Sequence, residues 1–175
     1  MLQAIRKTNP YFILAVIILF HLVATFIWLK IDKSYIKLDA WGHYRYSLEA
    51  YDFLKGFRHL KFPLSAIEPQ KWHGILVGFS TALSYSLFGS AQDTAIIINT
   101  AIFLPILVLS TYGIAKRIFG IRAGVLAAFI VTSYPIIFNN LRIYMLDLPL
   151  TSIVAASLYY LIASENLSDR KNYLL

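Results

Sequence analysis

Two carboxylates, Asp39 and Asp147, each stand where a helix is expected to begin. A carboxylate so placed can take a proton from a hydroxyl. It can also hold a divalent cation, Mg, Mn or Zn, through its oxygens. The same position suits plain helix capping, and the two roles are compatible. His43 follows Asp39 by four residues. That spacing puts both on one helical face, where an imidazole could orient a base or complete a metal site.

The chain lacks the parts of several other chemistries. It has no Cys, so thiol catalysis, disulfides and Cys-based zinc sites are excluded. It has no Gly-rich phosphate cradle and no Asp-x-Asp, so no nucleotide-sugar signature is present. Of its 175 residues, 58% are hydrophobic and 14% charged, and the mean hydropathy is +0.63. A soluble domain carries about 25% charged residues. The composition therefore predicts an all-α, polytopic integral membrane protein. The net charge of +7 comes from 16 Lys and Arg against 9 Asp and Glu. These basic residues flank apolar runs and leave no separate basic face, which reads as membrane topology rather than nucleic-acid binding.

The elements that must position the carboxylates are apolar runs. Residues 11–29 form an uncharged run, too long for a signal-peptide core and followed by no small-residue cleavage site. It predicts an uncleaved anchor with a cytoplasmic N-terminus. His21 lies inside it, and a neutral His bonded to a neighbouring helix is the expectation. Further spans are expected at about 94–115, 118–138 and 148–164, with Pro105 and Pro135 kinking two of them. Gly124, Ala127 and Ala128 should permit close helix packing. The run Gly74–Phe88 is short and contains Ser80, Ser84, Tyr85 and Ser86. An interfacial helix over 72–89 fits it better than a fifth span. Four spans put Arg6, Lys7, Lys116, Arg117, Arg122, Arg170 and Lys171 inside and only Arg142 in the short outer loop. Five spans would invert that pattern. They would also split Asp39 and Asp147 across the membrane, whereas four put both on the outer face.

The outer loop, residues 30–93, is long enough to be functional. Within it, 39–56 predicts an amphipathic helix, with Asp39 as N-cap and Gly56 as its stop. Trp41, Tyr44, Leu48, Tyr51 and Leu54 form its apolar stripe, which should lie in the membrane interface. Trp41, Tyr44 and Tyr46 read as interfacial anchors. Such a surface suits a site where a lipid-borne polar head meets a water-side substrate.

In order and spacing these features resemble the GT-C membrane glycosyltransferases, in particular the protein O-mannosyltransferase, aminoarabinose transferase and RgtA-like group. The resemblance rests on Leu38-Asp39-Ala40-Trp41-Gly42-His43-Tyr44, with Ala40 where many members have Glu. It continues through Phe62-Pro63-Leu64, Trp72-His73 and Leu87-Phe88-Gly89-Ser90. It is best from Ala115 to Asp147: Lys116-Arg117-Ile118-Phe119-Gly120, Ser133-Tyr134-Pro135, Arg142, and Asp147-Leu148-Pro149. It implies transfer of a sugar from a polyprenyl-phosphate donor to an acceptor hydroxyl on a protein or glycolipid, at the outer face of the cell (inner) membrane. Asp39 would be the base. Asp147 would be its partner or a second metal ligand. Arg142, Lys71 and His73 would meet the lipid phosphate, and Glu68 resembles an acid that some relatives place before this helix.

Family members continue through more spans, so the whole chain, 1–175, reads as a single N-terminal membrane portion. Other readings are a non-catalytic scaffold or accessory subunit of a cell-envelope pathway, an inactive fragment, or a piece of a transporter. The scaffold reading expects Asp39 and Asp147 to tolerate Ala.

Overall fold

The computed structural model describes residues 9–32, 38–58 and 75–164. Among them every regular element is a helix. Helix α1, Pro10–Ile31, begins where Asn9 accepts the Tyr11 amide at 3.0 Å and Pro10 fills the first turn. Both are start signals: the side chain satisfies a loose N–H, and proline has none to lose. Helix α2 covers Leu38–Arg58 and α3 covers Ile75–Phe88. Helix α4, Gln92–Phe119, is followed by α5, Ile121–Ser133, then α6, Pro135–Asn140, and α7, Asp147–Ala163.

Helix α4 is the axis of the bundle, about 42 Å long at 1.5 Å per residue. Asp93 lies in its first turn, Lys116 and Arg117 in its last, each sign favoured by the helix dipole there. Pro105 sits inside α4 without ending it. A single residue, Gly120, turns the chain from α4 into α5 at φ +91° and ψ 173°, a conformation that side chains resist. The turn lets α5 fold back on α4. Gly124 then lies so close that a Cβ would come within 2.8 Å of the Tyr112 carbonyl oxygen. Ala128, one turn further, is fully buried.

The expected single span over 118–138 is two helices. Pro135 disfavours helical backbone at Tyr134, which is extended at φ −64° and ψ 130°, and α6 starts afresh at the proline. The expected kink is thus a full break. Helix α2 also differs from expectation. It runs through Gly56 to Arg58, and Asp39 lies inside its first turn rather than capping it.

Side-chain-to-carbonyl bonds and a ring contact place the remaining helices. Ser152 Oγ donates to the Phe103 carbonyl at 2.8 Å, and Arg117 Nη1 to the Ile162 carbonyl at 3.5 Å. These two pairs show α7 running parallel to α4. Helix α1 runs the other way, with Tyr11 edge-on to Tyr112 at 6.0 Å. At its far end Thr25 Oγ1 donates to the Leu141 carbonyl at 3.3 Å. The core between these helices is formed by Leu14, Phe103, Leu104, Leu107, Val108 and Leu148. Among the described residues two helices, α1 and α4, are long and apolar enough to cross a membrane; α3, α5 and α7 are shorter apolar helices.

Candidate functional site

The C-terminal end of α1 and the N-terminal ends of α4 and α7 meet at one end of the bundle. The loop 141–146 closes that end. Its Leu141 carbonyl accepts two hydroxyls from two helices, Thr25 at 3.3 Å and Thr100 at 2.9 Å. Asn99 Nδ2 reaches the Met145 carbonyl at 3.4 Å. A loop whose backbone is held at both ends by buried side chains is a rigid platform for the residue that follows it, Asp147.

Helices α2 and α3 are fastened to this platform through Tyr144. Its ring is 2% exposed. Its hydroxyl lies 2.6 Å from Ser47 Oγ on α2 and donates to Thr81 Oγ1 on α3 at 2.9 Å. Ser47 in turn donates to the His43 carbonyl one turn earlier, at 3.2 Å. Burial pushes the Tyr144 phenol above its ordinary value, so it stays protonated and acts as a hydrogen-bonding post. Tyr44 and Tyr51 pack edge-on against Tyr85, and Tyr44 donates to the Ser90 carbonyl at 2.9 Å. Burial raises the Tyr44 phenol as well.

The buried face of α2 is wider than the predicted stripe. Ala40, Tyr46, Ser47 and Ala50 are almost fully covered, while Trp41 is 50% exposed and Tyr44, Leu48, Tyr51 and Leu54 are intermediate. Tyr44, Leu48 and Tyr51 pack against the core. Tyr46, expected as an interfacial anchor, is instead buried against α3, where its ring fills the space a Cβ on Gly78 would need.

Asp39, in the first turn of α2, and Asp147, the first residue of α7, are both exposed. Asp39 belongs to α2, which Tyr144 joins to loop 141–146, and Asp147 directly follows that loop. Each sits in the first turn of its helix, where backbone N–H groups are left unpaired by the helix itself. Among the described residues no group of three or more His, Cys, Asp and Glu gathers to hold a metal ion. Arg142 is half-buried, its guanidinium 4.0 Å from the Phe138 ring centroid and 4.8 Å from that of Trp28. Among the described residues it makes no ion pair. Its charge is therefore steadied by rings and left available to an anion. Glu68, Lys71 and His73 lie outside the described residues.

The expected hydrogen bond at His21 is not formed at its Nδ1, which has no partner among the described residues. The ring is buried and packs edge-on to Phe20 and Phe138 instead. Sequence reasoning did not anticipate Ser47, Thr81 or Tyr144 as positioning residues. Polar residues in an otherwise apolar α3 were the one available signal.

The family model described as dolichyl-phosphate-mannose-protein mannosyltransferase matches residues 72–175. No curated protein and no solved structure matches the chain.

Proposed function

The chain belongs to the dolichyl-phosphate-mannose-protein mannosyltransferase family, and on that premise we propose that it takes part in sugar transfer from a polyprenyl-phosphate-linked donor to an acceptor hydroxyl on a protein or glycolipid. The site is the end of the bundle closed by loop 141–146, on the outer face of a multi-pass, four-span chain with a cytoplasmic N-terminus. The observation that carries this reading is the Tyr144 hydroxyl. It binds the helix that begins beside Asp39 to the loop that ends at Asp147.

In this reading the Asp39 carboxylate accepts the proton of the acceptor hydroxyl as its oxygen attacks the sugar's anomeric carbon. The bond to the lipid phosphate breaks, and the phosphate leaves as an anion. Arg142 stabilises that developing charge, because its guanidinium is not neutralised by a protein carboxylate among the described residues. Asp147 holds the acceptor or shares the base's role. The exposed aromatic Trp41 keeps the site at the membrane interface. Asp39 and Asp147 would offer carboxylate oxygens to Mg or Mn, and such an ion would draw charge from the phosphate.

The test is transfer from polyprenyl-phosphate-mannose by membranes carrying Asp39→Asn or Asp147→Asn. General-base loss predicts a fall of about 10²- to 10⁴-fold in rate for Asp39→Asn, at unchanged expression. Wild-type rates in both variants would dismiss the assignment and favour a scaffold. Sidedness is read by single Cys residues at Ser90, Gly120 and Asn139 and a membrane-impermeant reagent. The expected result is labelling at 90 and 139 from outside and protection at 120.

A further inference from the structure

At the opposite end of the bundle, roughly 24 Å along α4 from Thr100 to Lys116, the described residues leave an open groove of about 640 Å³. Tyr11, Tyr112, Lys116, Arg117 and Tyr159 line it, together with the aliphatic Ile106 and Leu109. None of the described residues lining it is acidic. Among the described residues neither Lys116 nor Arg117 makes an ion pair. Lys116 Nζ stands 5.5 Å from the Tyr112 ring centroid, and Arg117 reaches the Ile162 carbonyl at 3.5 Å. Tyr112 is 4% exposed, and its buried hydroxyl has no hydrogen-bond partner among the described residues. The Tyr159 ring enters against α4 where Gly113 has no side chain, since a Cβ there would meet the ring.

Two cations at the rim of the groove call for an anion. The aliphatic wall continuing from the charged rim calls for a hydrocarbon chain attached to that anion. The tyrosines around the rim belong at the headgroup level of a bilayer.

We propose that this groove is a binding site for an anionic membrane phospholipid. Its phosphodiester is held by Lys116 and Arg117, and an acyl chain lies along Ile106 and Leu109. The site lies at the end of the bundle remote from Asp39 and Asp147 and uses none of the residues assigned to sugar transfer. Its test therefore stands or falls apart from that reading.

The experiment is thermal unfolding of the purified full chain in neutral detergent, at fixed ionic strength, titrated with phosphatidylglycerol. Phosphatidylcholine and inorganic phosphate are titrated in parallel. The expected result is a rise in melting temperature with phosphatidylglycerol alone. A Lys116→Ala/Arg117→Ala variant should need roughly 30-fold more of it, given about 1 kcal/mol per basic residue near an anionic lipid. The single variants Lys116→Ala and Arg117→Ala should each fold and weaken the response in part. Lys30→Ala, which removes a positive charge at the other end, should leave the response unchanged. Several outcomes would each overturn the proposal: no rise in the wild type, or an equal rise with phosphatidylcholine, which marks a general lipid effect. An equal rise with inorganic phosphate would mark a small-anion site. A response indifferent to the groove variants would place the lipid elsewhere.

Discussion

The hydroxyls of Ser47 and Tyr144 lie 2.6 Å apart across 97 residues of sequence, buried on both sides. With Thr81 as third partner they form the polar joint of an otherwise apolar interface. Tyr144→Phe keeps the ring and deletes the joint, leaving Thr81 without that donor. The expected cost is about 1–3 kcal/mol for a buried polar group left unmet. Chemical or thermal unfolding in detergent measures it. If transfer also falls while donor KM holds, the joint positions the carboxylates. An unchanged melting temperature would mean the joint is replaced by water.

The same cluster sets a pH dependence. Burial raises the Tyr144 and Tyr44 phenols above their ordinary value in the folded chain. The unfolded chain ionises near pH 10. Below that pH both states hold the protons, and the stabilisation is fully present. Above it the unfolded state loses protons first, so stability falls as pH rises through the folded values. Melting at pH 9 and pH 11 should show a drop that Tyr144→Phe makes shallower. A flat profile would contradict the burial.

Arg142 separates charge from shape. Its guanidinium is stacked near Phe138 and Trp28. Arg142→Gln should raise the donor KM roughly tenfold or more, the worth of a hydrogen bond to a charged group. Arg142→Lys should recover part of this, because it restores the charge but not the planar fork. Equal KM in all three would make Arg142 a membrane anchor only.

Gly120 carries a backbone prediction free of packing effects. Its φ of +91° and ψ of 173° fall where side chains are strained, and a Cβ there would meet nothing within 4 Å. Gly120→Ala should therefore cost about 1–3 kcal/mol through conformation alone. A neutral result, read by unfolding, would show that the α4–α5 corner relaxes freely.

The helices were legible in the sequence because long apolar runs leave the backbone no other way to satisfy itself in lipid. The break at Tyr134 was half legible: Pro135 announced it, but a kink and a stop look alike in one sequence. The packing face of α2 was half legible. Tyr44, Leu48 and Tyr51 of the stripe pack against the core, whereas Trp41 is exposed, because beside a membrane an apolar side chain can face outward. Ala40, Ser47 and Ala50 carry too little hydrophobic signal to mark their share of the contact, and Tyr46 lies off the stripe. That Asp39 and Asp147 stand at helix starts was legible from residue type and position. Tyr144 was missed because hydroxyl partners 97 residues apart leave no periodic trace.

Helix α4 spans about 42 Å, whereas α7, with 17 residues, spans about 26 Å and α5, with 13, about 20 Å. A hydrocarbon layer is about 30 Å thick. Helix α4 is thus longer than that layer is thick, and α7 is shorter. In the four-span arrangement proposed above, the layer would thin beside α7 to meet it.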